Sequence, residues 1–113
     1  MVEPGGTILI VEDPLIQRLI GGILVRAGYR VVESEIAAAA ALLRTARSQY
    51  RLLITNKPAE FLEFASAVPL LYVAACPDRE LARRFARWAV MRKPFHPEQL
   101  LALAMELTGP VVP

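Results

Sequence analysis

"YRLLITNKP" (residues 50–58) decides the fold. Leu52, Leu53 and Ile54 form an unbroken apolar run, the mark of a strand buried on both faces. Asn56 and Pro58 stop that run in a turn. Open parallel α/β sheets place their chemistry at the carboxyl ends of such strands. A neutral carboxamide therefore stands where a carboxylate would be the useful group.

Working outward, the strand signal recurs in "TILIV" (7–11), "YRVVE" (29–33), "VPLLYVAA" (68–75) and "AVMRK" (89–93). Helical patterns fill the gaps. Leu15, Ile16, Leu19, Ile20, Ile23 and Leu24 recur at helical spacing up to Gly28, a C-terminal stop. Ser34 is the expected N-cap of the alanine-rich "EIAAAAALLRTARSQ". Asp78 is the expected cap of a helix over "DRELARRFARW" (78–88), and Pro97 and Gly109 bound the last one. About a dozen residues separate the third and fourth strands, near the minimum for a parallel crossover, so the helix around "EFLEFAS" must be stunted. The alternation predicts an α/β domain, a doubly wound five-stranded parallel sheet with helices on both faces. Its core covers about 7–108, with a frayed tail over 109–113.

The chain has 113 residues, of a size for one stand-alone domain. At 55% hydrophobic and 21% charged it can bury a full core, which excludes a disordered chain. A net charge of +2 is too small to predict DNA binding. The single cysteine, Cys76, fits a reducing cytoplasm. "MVEPGG" lacks the pattern of a secretory signal, and no stretch has the apolar length of a membrane span.

The strand ends carry Glu12 and Asp13, then Asn56, then Ala74, then Lys93. Two adjacent carboxylates form a hard-oxygen pair of the kind Mg²⁺ takes. A third would complete that site and could accept a phosphoryl group, with a lysine opposite to neutralise its oxygens.

These residues resemble the receiver domains of bacterial two-component response regulators. "ILIVEDPLIQRLI", "LVRAGYRVVES", "YRLLITN" and "KPFHPEQLL" match receiver segments in order and together span most of the chain. The resemblance implies a flavodoxin-like fold and a place in phosphorelay signalling. It puts Asn56 at the phosphoacceptor position, Ala74 at a position that holds a hydroxyl, and Val90 at that of an aromatic switch residue. Lys93 is retained, and the Lys93–Pro94 bond is expected to be cis. The loop after Asn56 lacks the family's Met-Pro…Gly pattern. Acceptor, hydroxyl and read-out are thus all replaced, as in a degenerate pseudo-receiver, with no enzymatic activity expected.

The expected function is phosphorylation-independent protein–protein contact, with a histidine kinase or another signalling protein as partner. A working phosphoacceptor regulator is the alternative. No cofactor is expected, Mg²⁺ binding at most weakly to the remnant pair Glu12 and Asp13. Asp13 before Pro14 reads equally well as a helix cap. Lys93 is expected to pair with Glu12 or Asp13. His96, before Pro97, reads as a helix start rather than a phosphohistidine.

Arg79, Arg83 and Arg87, spaced by four, are expected on one helix face, with Glu80 pairing Arg84. The ordinary reading is a solvated face. The sharper one is a docking face made of Arg83, Arg87, Trp88, Val90 and Arg92, or a phosphate site for a cyclic dinucleotide. The pattern leaves oligomeric state open, a homodimer included.

Overall fold

The computed structural model describes residues 6–109; the expectations for the first residues and for the tail over 110–113 lie outside it. In chain order the elements are β1 (Thr7–Val11), α1 (Pro14–Arg26), β2 (Arg30–Glu33), α2 (Ile36–Ala46) and β3 (Tyr50–Thr55). A 3-10 segment (Pro58–Phe64) follows, then β4 (Leu70–Ala74), α3 (Arg79–Ala82), β5 (Trp88–Arg92) and α4 (Pro97–Thr108). The strands form one parallel sheet ordered β2-β1-β3-β4-β5. The order reverses between β1 and β3, so a crevice opens over their carboxyl ends.

Alternation along each strand builds two cores. Ile8, Ile10, Leu52, Ile54, Val73 and Met91 pack under α1 and α4. Leu9, Val11, Leu53, Leu70 and Tyr72 face the other way, against Ala39, Ala40, Phe61, Phe64 and Phe85. Alanines on α2 let its backbone come close to the sheet. The 3-10 segment is bent at Phe61 (φ −126°), whose ring is fully buried. Arg44 ties α2 to this segment by a two-bond fork to Glu63 (3.0 and 3.1 Å). That hydrogen bond, then the guanidinium charge, holds the Glu63 carboxyl below its ordinary value. The pair's support is therefore present at neutral pH and lost as pH falls through the lowered value; both groups are solvated, so it is small.

Several sequence expectations shift. The helix expected over 78–88 is one turn long, because β5 begins at Trp88, opposite Leu70. Leu70 N–H donates to the Arg87 carbonyl and Ala86 N–H to the Ala65 carbonyl, while Phe85 is buried. Sheet pairing and burial override helix propensity there. Asp78 does cap the turn, accepting from Glu80 and Leu81 N–H. Glu35, not Ser34, occupies the N-cap position of α2, and the Ser34 hydroxyl donates to the Glu35 carbonyl instead. Leu15 and Leu19, part of the apolar pattern at helical spacing, are 80% and 50% exposed.

Two glycines inside α1 behave differently. A Cβ at Gly21 would lie 2.6 Å from Glu33 Oε2, whereas one at Gly22 meets only Arg26 Nη2 at 3.7 Å. Gly22→Ala is expected to stabilise the fold by about 0.5–1 kcal/mol, a rise of roughly 3–5 °C in Tm. Gly21→Ala should gain less, because Glu33 must move. Thermal melts rank the two; the reverse order contradicts the packing described.

Candidate functional site

Val11 lies opposite Thr55 in the β1–β3 register, so Glu12 and Asn56 leave the sheet side by side. Thr55 is fully buried, and its Oγ1 accepts Lys57 N–H at 3.0 Å, fixing the turn that presents Asn56. Glu12, Asp13, Asn56 and Lys57 line a cleft of about 470 Å³ with Val11 and Ile36.

Glu12 is the centre of the arrangement. Its side chain is 0% exposed. Oε1 accepts Asp13 N–H at 2.8 Å, and Oε2 meets Lys93 Nζ at 2.9 Å. The lysine's approach lies outside hydrogen-bond angles, so the contact is ionic and Oε2 keeps no aligned donor. Glu12 N–H donates to Gln17 Oε1 at 3.0 Å. Lys93 is placed by the end of β5, where its N–H donates to the Ala74 carbonyl at 2.9 Å. The Lys93–Pro94 bond is cis. Lys93, Pro94 and Phe95 also line an apolar groove with Ile16 and Leu19.

Asp13 is exposed and sits at the N-cap position of α1 without making a side-chain cap bond. Ala74 is half-buried and offers no hydroxyl at the end of β4. The cleft's other side-chain oxygens are the Asp13 and Glu35 carboxylates and the Asn56 carboxamide. Among the described residues no group of three or more His, Cys, Asp or Glu side chains could hold a metal ion. Magnesium here would have to take most of its octahedral oxygen shell from water.

Arg79, Arg83 and Arg87 do not share one helix face, because α3 ends at Ala82. Arg83 lies past α3 and pairs with Glu80 at 3.2 Å, the partner that spacing had given to Arg84. Arg87 Nη2 donates to the Glu106 carbonyl at 2.8 Å. Trp88, Val90 and Arg92 alternate on one side of β5, Trp88 and Val90 half-buried against the core and Arg92 exposed. Two contributors escaped the sequence reading. Gln17 gave no signal, being one polar residue on an amphipathic helix. Thr55 gave a weak one, as a hydroxyl just before a turn.

The superposition on solved structures is decisive for the architecture. The receiver domain of NtrX from Brucella abortus matches with a TM-score of 0.73 at 23% identity, over 89% of this chain and 97% of that one. The fold is that of response-regulator receiver domains. The Vibrio cholerae chemotaxis protein CheY4 gives 0.71 at 20% identity, over 90% of this chain and 98% of that one. NtrX from Brucella abortus in complex with ADP gives 0.77 at 21% identity over 92% of this chain, which spans 26% of that longer chain. No protein-family model and none of the curated proteins matches. On the receiver fold the crevice at the β1 and β3 ends holds Glu12, Asp13 and Asn56, with Lys93 bound to Glu12.

Breaking the ion pair from its two sides should differ. Lys93→Met strands a buried carboxylate and is expected to cost about 2–4 kcal/mol. Glu12→Gln keeps an acceptor for Asp13 N–H, and Lys93, 25% exposed, can turn to water. Its cost should stay below about 1.5 kcal/mol. Urea unfolding of both variants measures the difference; equal costs would contradict the burial assigned to Glu12.

Proposed function

We propose that this domain is a receiver-like signalling module of the two-component type that works by protein contact in the cytoplasm, without being phosphorylated. The observation that carries this reading is the state of the crevice. Its central strand ends on a carboxamide, Asn56, which has no charge and is a poor nucleophile toward a phosphoryl donor. The lysine that would neutralise a phosphoryl group is already in contact with Glu12. At the end of β4, Ala74 gives no hydroxyl to bond phosphoryl oxygen. On this reading the module is not an enzyme and takes no magnesium at physiological levels.

The partner, a histidine kinase or another signalling protein, docks on the β5 side. β5 is an edge strand, paired only with β4. It presents Trp88, Val90 and Arg92 on one side, with Arg83 and Arg87 exposed just before it. A half-buried tryptophan bordered by arginines has the composition of an interface core and rim. Among the described residues no helix is long and apolar enough to cross a membrane.

Incubation with acetyl phosphate and Mg²⁺, read by mass spectrometry and Phos-tag electrophoresis, is expected to give no acid-labile adduct. An adduct on any carboxylate of the crevice would favour the working phosphoacceptor. Asn56→Asp alone is expected to label slowly, since Ala74 still provides no hydroxyl. Fast labelling of that variant would mean that the acceptor was the only missing part.

A further inference from the structure

The arginines of residues 79–92 are regrouped by the early start of β5. Arg83 and Arg87 have partners, Glu80 and the Glu106 carbonyl. Arg79 and Arg92 instead line one cleft of about 230 Å³, with Cys76, Pro77 and Val90. Among the described residues neither of these two guanidinium groups makes a hydrogen bond or an ion pair. Arg79 comes from the first turn of α3. Arg92 ends β5 on the same side as Trp88 and Val90, which pack against the core beneath α3. The nearest carboxylates in sequence are engaged elsewhere. Asp78 Oδ1 accepts Glu80 and Leu81 N–H, and Glu80 holds Arg83. Two guanidinium forks with no side-chain partner among the described residues thus share a small concave space.

We propose that this cleft binds the phosphate group of a small phosphate ester. A carboxylate holds its two oxygens in one plane, which suits a single fork, whereas forks arriving from different elements suit a ligand whose oxygens point in several directions. A phosphoryl group offers three or more, and two forks from different elements can grip it from two sides. The volume bounds the ligand. Enclosed sites for drug-sized molecules begin near about 300 Å³. This cleft takes the phosphate and part of its ester, with Pro77 and Val90 as an apolar wall, and does not enclose a cyclic dinucleotide. Val90 matters here because it is small: a larger side chain at this position of β5 would project into the same space. The site is distinct from the crevice of Glu12 and Asn56, and it stands whether or not that crevice takes phosphate.

NMR titration of the whole domain with AMP, inorganic phosphate and acetate, at constant ionic strength, tests the proposal. Saturable shifts at Cys76, Arg79, Val90 and Arg92 are expected with AMP, and acetate should bind at least about tenfold more weakly. Arg79→Gln and Arg92→Gln should each weaken AMP by about tenfold or more, and Arg79→Lys nearly as much, since a lysine cannot form the fork. Arg84→Gln, which removes an exposed arginine outside the cleft, should leave the affinity unchanged. Three results would each overturn the assignment: equal binding of acetate and AMP, equal losses at Arg84 and Arg79, or no saturable shift up to about 10 mM AMP.

Discussion

The contact between Glu12 and Lys93 joins the ends of two strands that do not neighbour each other in the sheet. β1 and β5 are separated by β3 and β4, yet the lysine after β5 reaches the carboxylate after β1 at 2.9 Å. The carboxylate is fully buried, so it needs a cation more than a solvated one would. This constraint shapes the crevice. It takes one oxygen of Glu12, while Asp13 N–H takes the other, and it withdraws the lysine from any incoming anion.

Beside this pair the crevice presents a neutral group at the end of β3. Asn56 is held by a turn that Thr55 braces, and its carboxamide brings dipole but no charge. The same architecture with a carboxylate at that point would place three acidic groups together and would need a cation to hold them. With the carboxamide, one lysine balances the one buried acid. The substitution at the strand end and the ion pair are thus two sides of a single electrostatic solution.

Much of the fold could be read from the chain because its central strands β1, β3 and β4 are mostly buried. "TILIV" and "YRLLIT" matched β1 and β3 residue for residue, since each carries an unbroken buried run, Ile8 to Val11 and Leu52 to Thr55. One lysine facing two acids was expected to pair with Glu12 or Asp13, and the partner is Glu12. The segment 78–88 misled because arginines at a spacing of four suit a helix, whereas the position of Trp88 is set by Leu70 across the sheet. Local pattern carries no information about that partner. For the same reason the arginine grouping changed, from Arg79 with Arg83 and Arg87 to Arg79 with Arg92. Leu15 and Leu19 show the converse: helical spacing identified an apolar face without telling which part of it the sheet covers.

We propose that the crevice of Glu12, Asp13 and Asn56 has no use for a divalent cation, because its buried acid already has Lys93 as a partner. A Mg²⁺ titration followed by ¹⁵N NMR at the amides of Glu12, Asp13 and Asn56 reads this directly. The account predicts no saturable, site-confined shift at physiological, roughly millimolar, magnesium. Saturation of those three amides together at sub-millimolar Mg²⁺, with displacement of Lys93 from Glu12, would contradict it.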